Sequence, residues 1–144
     1  MIHVGLTGWG DHPDIYSTES KSSEKLVDYS AHFPVVELDA AFYAIQPERN
    51  MLKWIRETPD TFRFVVKAPA MVADAAMRGK RGDPIELNPL FLDPSAAIDH
   101  FVRPAIEGLS HRAGPLLFQL SPLPGDMKSA DGGIGTIERI GTLL

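Results

Sequence analysis

Short runs of β-branched and aromatic residues alternate along the chain with longer segments whose apolar residues recur at helical spacing. The short runs predict four strands: Ile2–Thr7, Val35–Tyr43, Phe62–Lys67 and Leu116–Leu120. The longer segments predict four helices: Ser22–His32, Pro47–Glu57, Asp93–Leu109 and Gly133–Leu144. Strands that alternate with helices are typical of a parallel sheet. The pattern therefore predicts four β/α units.

The segment Asp93–Leu109 carries the clearest helix signals. Asp93 suits the N-cap, and Pro94 suits the first helical position. Pro104 lies inside the apolar pattern and predicts a kink or a break, because proline lacks the backbone donor and clashes with the preceding turn. The stretch Ala70–Leu92 has no sustained period and is long for a connection, so it predicts a loop over the site.

Side chains along the predicted strands fall into two alternating sets. The first set is apolar: Val4, Leu6, Val36, Leu38, Phe64, Val66, Phe118 and Leu120. The second set is more polar: His3, Gly5, Thr7, Val35, Glu37, Asp39, Arg63, Val65, Lys67, Leu117 and Gln119. A doubly wound sheet buries apolar residues on both faces, whereas a small barrel turns one set inward and accommodates polar groups near its mouth. The contrast predicts a TIM-type (β/α) barrel, of which the single domain 1–144 provides about half.

Composition narrows the class of protein. The chain has 144 residues, 44% of them hydrophobic and 23% charged, which is typical of one soluble domain. No run approaches the roughly 18 apolar residues of a membrane span, and no secretory signal is evident, so we expect a cytoplasmic protein without a membrane partner. The net charge of −5 argues against broad nucleic-acid binding. The basic run Arg78, Lys80 and Arg81 is interpreted either as a solvated loop or as a phosphate or nucleic-acid contact.

Polar side chains end each of the predicted strands: Thr7, Asp39, Lys67 and Gln119. Active sites of these barrels lie at the carboxyl ends of the strands. Lys67 is a candidate for binding an anion or, less readily, for acting as an amine nucleophile. Glu37 and Asp39 are two residues apart, face the same way and suit an acid and base pair. We predict Glu37, Asp39 and Lys67 as catalytic residues; the alternative is an internal salt bridge without chemistry.

Four further residues are predicted to bind the substrate: Thr7, Trp9, Tyr43 and Gln119. Trp9 and Tyr43 follow the first two strands, where they suit either stacking on a sugar or base or plain apolar packing. Glu37 and Asp39 are too few ligands for a metal ion, so no metal site is predicted. The sequence indicates no particular cofactor.

Five segments in order resemble the YecE-like proteins, domain of unknown function family 72. They are residues 4–9 (VGLTGW), 33–43 (FPVVELDAAFY), Trp54 with Thr58-Pro59, 62–69 (FRFVVKAP) and 114–120 (GPLLFQL). The resemblance implies a triosephosphate-isomerase-like barrel whose activity is unassigned. The chain departs from the family pattern at Asp39-Ala40-Ala41 and Ser121-Pro122. It also lacks the threonine-histidine element expected after Lys67, since Met71–Asp74 occupies that place.

The length conflicts with a complete barrel, which takes about 250 residues. Four units alone leave two unpaired edges and an open interior. Either the barrel is truncated after four β/α units, or another chain supplies the second half. We expect a homodimer, with two half-barrels as one geometry. Two functional classes stay open. The first is a hydrolase- or isomerase-type enzyme acting on a small polar substrate, phosphorylated or sugar-like. The second is a non-catalytic barrel that binds a small polar or anionic ligand or a nucleic acid.

Overall fold

A parallel sheet organises the computed structural model, which describes residues 1–16, 21–128 and 130–144. The strands of the described residues are β1 (Leu6–Thr7), β2 (Val35–Leu38), β3 (Arg63–Lys67), β4 (Ala76–Arg78), β5 (Pro84–Leu87) and β6 (Ala113–Leu117). The main sheet has the order β1-β2-β3-β6 and is parallel throughout, while β4 and β5 form a separate antiparallel hairpin. The predicted α/β class with a parallel sheet is confirmed. Within the described residues the sheet stays open, and no closed barrel forms.

Helices connect the strands of the main sheet. They are α1 (Lys25–His32), α2 (Glu48–Glu57), α3 (Ala70–Ala73), α4 (Pro94–Ala97), α5 (Arg103–Leu109) and α6 (Ala130–Leu143). Short 3-10 turns cover Pro13–Ile15, Asp39–Phe42, Ser110–Arg112 and Asp126–Lys128. All four predicted helices are present, although α1 begins at Lys25 rather than Ser22. None of the helices in the described part of the chain is long and apolar enough to cross a membrane.

The predicted helix over Asp93–Leu109 is bent rather than broken. The Asp93 carboxylate caps α4 by accepting a hydrogen bond of 2.7 Å from the backbone N–H of Ala96, as predicted. A π-helical turn, Ile98–Val102, joins α4 to α5, and Pro104 lies in the first turn of α5. The wider turn moves the preceding carbonyls away from the proline ring, so the helix continues through the proline.

The predicted apolar set of strand residues forms the core in the two central strands, β2 and β3, which each have a neighbouring strand on both sides. Val36, Leu38, Phe64 and Val66 are all buried against the helices, with Met51 and Leu109 among their cluster. The opposite set is half-buried or exposed, and Leu117 on that face is 36% exposed. One face of the sheet is therefore a packed core, and the other is left uncovered by the described residues.

β1 is much shorter than predicted, because a side chain takes the hydrogen bonds that would extend it. The buried Tyr29 hydroxyl accepts from the backbone N–H of Leu6 at 2.7 Å and donates to the carbonyl of Val35 at 2.9 Å. Gly5 lies so close to the Val35 carbonyl that a Cβ there would collide with it. The strand thus pairs with β2 only at Leu6 and Thr7, and Val4 is 65% exposed.

β6 begins earlier than predicted, at Ala113 instead of Leu116. Glycine and proline usually interrupt strands. Here the backbone of β3 approaches so closely that a Cβ at Gly114 would lie 2.9 Å from the Phe64 carbonyl oxygen. The pairing register shifts between Phe64 and Val66, which accommodates Pro115. Because the two backbones approach so closely, Gly114 forms part of the strand although glycine usually interrupts one.

The prediction of an irregular loop over Ala70–Leu92 was wrong. This stretch forms α3 and the β4–β5 hairpin. The Asn88 side-chain amide holds the hairpin to α3 by donating to the carbonyls of Met71 at 2.9 Å and Asp74 at 2.8 Å. Strands of three and four residues are too short to produce a readable period, and side-chain bonds between distant residues leave no local signal.

Candidate functional site

The carboxyl ends of β2 and β3 hold the pair of charges that the sequence predicted there. β2 ends at Leu38, earlier than the predicted Tyr43, and the chain enters the 3-10 turn Asp39–Phe42. The Lys67 ammonium donates to the Asp39 carboxylate, with Nζ 2.5 Å from Oδ1. The Lys67 side chain is only 12% exposed, whereas that of Asp39 is 36% exposed. The pair is thus reached from solvent through the carboxylate.

An aromatic ring supports the same ammonium group. The Lys67 Nζ lies 5.3 Å from the centre of the Phe42 ring, within the range of a cation–π interaction. Because Phe42 belongs to the turn that begins with Asp39, this turn provides both contacts of the ammonium group. An extended β2 would carry Phe42 along the strand axis, so the early end of β2 is what assembles the pair.

Glu37 lies on the uncovered face of the sheet, between Thr7 of β1 and Val65 of β3. Its side chain is half-buried, and no hydrogen bond or ion pair joins its carboxylate to any other described residue. Gly5, Thr7, Val35, Glu37 and Val65 line an open concavity of about 350 Å³. The structure therefore brings Asp39 and Lys67 into contact and leaves Glu37 facing open space beside them.

The predicted substrate-binding residues are spread more widely. Thr7 is exposed at the edge of the concavity. Trp9 packs edge-to-face on Trp54 of α2, with ring centres 5.4 Å apart. Tyr43 is 82% exposed and rests edge-on against Phe42. Gln119 is exposed, beyond the end of β6.

A second polar cluster, which the sequence reasoning missed, anchors the hairpin. The buried Asp74 carboxylate accepts hydrogen bonds from Arg78 Nε at 2.6 Å, from Arg78 Nη2 at 3.2 Å and from the backbone N–H of Ala76 at 3.1 Å. Burial alone would raise the pKa of Asp74, but these bonds and one from Ser121 outweigh it and lower the pKa. The sequence offered one signal for this pair, the four-residue spacing of Asp74 and Arg78. That spacing is typical of ion pairs on helices, so it did not indicate an anchor for a hairpin.

A buried arginine, also missed, lies at the opposite end of the sheet, where β3 and β6 begin. Arg112 donates to the Thr58 carbonyl at 3.2 Å, to the Pro59 carbonyl, and to the Asp60 carboxylate at 2.8 Å. Hydrogen bonds from His111 and then Arg112 lower the pKa of Asp60. These contacts fix the residues that connect the end of α2 to the start of β3, so we assign Arg112 a structural role.

Metal ligands are sparse in the described residues. Nowhere in 1–16, 21–128 or 130–144 do three histidine or carboxylate side chains gather closely enough to hold an ion. The Asp39 carboxylate is already bonded to Lys67, and the nearby Glu37 carboxylate would provide one further oxygen ligand for a metal ion.

Comparison with known protein families identifies the chain. The model of the family described as "Protein of unknown function DUF72" matches residues 3–134, which is most of its length. The chain belongs to the DUF72 family. The predicted resemblance is thereby confirmed.

Relatives of this DUF72 chain occur in bacteria. It is 65% identical over 68 residues to the UPF0759 protein YunF of Bacillus subtilis (strain 168), a match covering 47% of this chain and 24% of that protein. It is 37% identical over 79 residues to the UPF0759 protein YecE of Escherichia coli (strain K12), covering 54% of this chain and 28% of YecE.

Solved structures share the fold. A crystal structure of a DUF72 family protein from Enterococcus faecalis V583 matches with a TM-score of 0.66 and 24% identity, covering 99% of this chain and 47% of that one. A second crystal structure of the Enterococcus protein gives a TM-score of 0.57 and 22% identity. The DUF72 chain thus spans about half the length of the solved protein that it matches.

Proposed function

We propose that this DUF72 chain provides half of a (β/α) barrel whose mouth is the site of a hydrolase- or isomerase-type enzyme acting on a small, sugar-like substrate. The observation that carries the proposal is the half-buried Asp39–Lys67 ion pair at the carboxyl ends of two neighbouring parallel strands. Barrel enzymes place their chemistry at that edge. The Lys67 side chain is only 12% exposed, so its ammonium group has a desolvation cost that a purely structural edge does not require.

The charges at this edge favour a neutral polar substrate over a phosphorylated one. Glu37 and Asp39 contribute two negative charges and Lys67 one positive charge, which leaves a net charge of −1. A phosphate group would have to displace Asp39 from Lys67 while it approached Glu37. Hydroxyl groups can instead donate to either carboxylate and accept from the ammonium, so a polyol or sugar fits all three.

The three groups suit acid–base chemistry on such a substrate. The Glu37 carboxylate, which has no bonding partner among the described residues, is the candidate general base. Lys67, fixed by Asp39 and by the Phe42 ring, is the candidate donor to a substrate oxygen, and Asp39 sets its position. Thr7 and Gln119 are candidates for orienting the substrate, and Tyr43 is a candidate for stacking on it. Trp9, which packs against Trp54, has the weakest case for contact.

The missing wall of the proposed barrel is the second part of the proposal. One face of the sheet carries Val35, Glu37, Val65 and Leu117, and none of the elements that the structure describes covers it. We propose that a second copy of the chain covers it, giving a homodimer of two half-barrels. Sedimentation velocity should then report a dimer, and Val65→Asp, which places a charge on the uncovered face, should shift it to monomer. A monodisperse wild-type monomer would contradict this part.

A turnover screen tests the enzyme. Wild-type protein is incubated with neutral sugars and sugar phosphates, and hydrolysis or isomerisation is followed by proton NMR. Glu37→Gln and Lys67→Ala should each lower turnover by about 100-fold or more without loss of fold. Lys53→Ala is the matched control, because Lys53 also pairs with a carboxylate, Glu57, but on the outer surface of α2. If no substrate is converted, or if Lys53→Ala slows conversion equally, the enzyme proposal fails.

A ligand-binding barrel without turnover is the second candidate. It is favoured by the direct contact between Lys67 and Asp39, because each group satisfies the other and the pair can position a ligand without exchanging protons. Binding of a sugar detected by NMR chemical-shift changes around Lys67, with no conversion over days, would select this candidate over the enzyme.

A further inference from the structure

The β4–β5 hairpin and the turn after β2 enclose a groove that is distinct from the Asp39–Lys67 pair. Its volume is about 710 Å³, within the usual range for small-molecule sites. The lining combines aromatic and apolar side chains with basic ones: Phe42, Tyr43, Met71, Met77, Arg78 and Lys80. Phe42 separates the groove from the ion pair, since its ring also faces the Lys67 ammonium.

The walls of this groove are fixed in place. Asp74 holds Arg78 through two hydrogen bonds, and Arg78 Nη1 donates to the Gly82 carbonyl at 3.1 Å across the hairpin turn. The Asn88 amide ties the base of the hairpin to α3. A groove whose walls are held by buried and bridging hydrogen bonds is largely formed before a ligand arrives, which reduces the entropic cost of binding.

Charge and exposure indicate the kind of ligand. Lys80 lines the groove, and within the described part of the chain no salt bridge or hydrogen bond occupies its ammonium group. Tyr43, which also lines the groove, is 82% exposed and is braced edge-on by Phe42 at 5.3 Å between ring centres. The groove thus combines an exposed aromatic ring with a cation that has no bonding partner among the described residues, in a protein whose net charge is −5.

We propose that this groove binds a small anion that carries a planar ring, of the nucleoside monophosphate class. The phosphate would be bound by Lys80 with support from Arg78, and the base would stack on Tyr43 among the methionine side chains. The site does not use Glu37, Asp39 or Lys67, but it shares Tyr43 with the function proposed above. Lys80 lines this groove and has no part in that function, so Lys80→Ala distinguishes the two proposals.

The test measures binding of AMP by isothermal titration calorimetry or saturation-transfer NMR. Adenosine and inorganic phosphate serve as probes of the two halves of the ligand. AMP should bind more tightly than either half alone. Tyr43→Ala should weaken AMP binding by about tenfold, or about 1.4 kcal/mol, which lies within the range for one base stacked on an aromatic side chain. Lys80→Ala should weaken it about fivefold, the value of one exposed charge contact.

Arg81→Ala is the matched control. Arg81 follows Lys80 in the sequence and carries the same charge, but it does not line the groove, so its loss should change AMP affinity less than twofold. Equal weakening by Lys80→Ala and Arg81→Ala would indicate diffuse electrostatics and overturn the proposal, as would an unchanged affinity in Tyr43→Ala. Tighter, steeply salt-dependent binding of a single-stranded oligonucleotide than of AMP would overturn it in favour of a nucleic-acid surface.

Discussion

Replacing Asp74 by asparagine isolates the energetic contribution of the hairpin anchor. Asparagine keeps the shape of the side chain and its oxygen can still accept from the Ala76 N–H, but its amide group cannot accept from Arg78. The short bond from Arg78 Nε to Oδ2 is therefore lost, and the bond from Nη2 to Oδ1 no longer has a charged acceptor. The Arg78 side chain, which is 33% exposed, can turn toward water. A hydrogen bond to a charged, buried partner contributes roughly 1.5–3 kcal/mol, so we expect Asp74→Asn to lower the free energy of unfolding by about 2 kcal/mol.

The chain contains a matched control for this substitution. Asp99 and Arg103 have the same four-residue spacing, and their nitrogen and oxygen atoms lie 3.2 Å apart, but both side chains are more than half exposed. Asp99→Asn should lower the free energy of unfolding by no more than about 0.5 kcal/mol, because exposed pairs contribute little. The difference between the two variants thus measures the effect of burial at constant spacing.

The pH dependence of Asp74→Asn gives a second readout. The pKa of Asp74 in the folded state is lowered below its ordinary value, because hydrogen bonds from Arg78, the Ala76 N–H and Ser121 outweigh the effect of burial. Its ionised form therefore stabilises the fold fully above the unfolded-state pKa, and this contribution is lost as the pH falls through the lower folded-state pKa. The difference in the free energy of unfolding between wild type and Asp74→Asn should have its full value of about 2 kcal/mol at pH 7 and should decrease below about pH 4.

Urea denaturation followed by tryptophan fluorescence measures both effects. Hydrogen exchange at the Asn88 backbone amide, which donates to the Ala75 carbonyl at 2.9 Å, separates local opening of the hairpin from global unfolding. The reasoning would be refuted if Asp74→Asn cost no more than Asp99→Asn by both measures, or if its cost were the same at pH 7 and pH 3.

Two further predictions concern helix packing and capping. Gly108→Ala should lower the free energy of unfolding by about 1 kcal/mol despite the better helix propensity of alanine, because the new Cβ would overlap the buried Met51 sulfur. Gly135→Ala in α6, where nothing lies within 4 Å of the new Cβ, should instead raise it by about 0.7 kcal/mol; thermal unfolding that moves both variants in the same direction would contradict this contrast. Asp93→Ala should cost about 1 kcal/mol through loss of the bond to the Ala96 N–H, whereas Asp93→Asn should cost much less, as measured by urea denaturation.

Local signals in the sequence predicted the central part of the fold well. The alternation at Val36, Leu38, Phe64 and Val66 follows directly from one buried and one open sheet face, and all four are buried. The cap at Asp93 is equally local, because the side chain bonds to its own helix. Patterns of this kind need no knowledge of distant residues, so they can be read from the chain alone.

Features that depend on distant residues were not predictable in the same way. The start of β1 is set by the Tyr29 hydroxyl, and the start of β6 by the close approach of Gly114 to Phe64. Similarly, Asp39 and Lys67 were each placed at a strand end by sequence, but their contact depends on β2 turning at Leu38. The hairpin anchored by Asp74 depends on short strands that carry no readable period.

The uncovered face of the sheet limits what can complete the site. Any partner that covers this face must place apolar groups against its three apolar side chains, Val35, Val65 and Leu117. It must also offer a hydrogen-bond donor or a cation to Glu37, which lies between them. A purely apolar wall would leave that carboxylate buried without a partner, at a cost of several kcal/mol. A wall that donates a hydrogen bond to Glu37 and leaves the charge of Lys67 in place would preserve the polar edge at which we propose that the substrate binds. Whatever covers this face, it must therefore bring a polar group opposite Glu37 within an otherwise apolar surface.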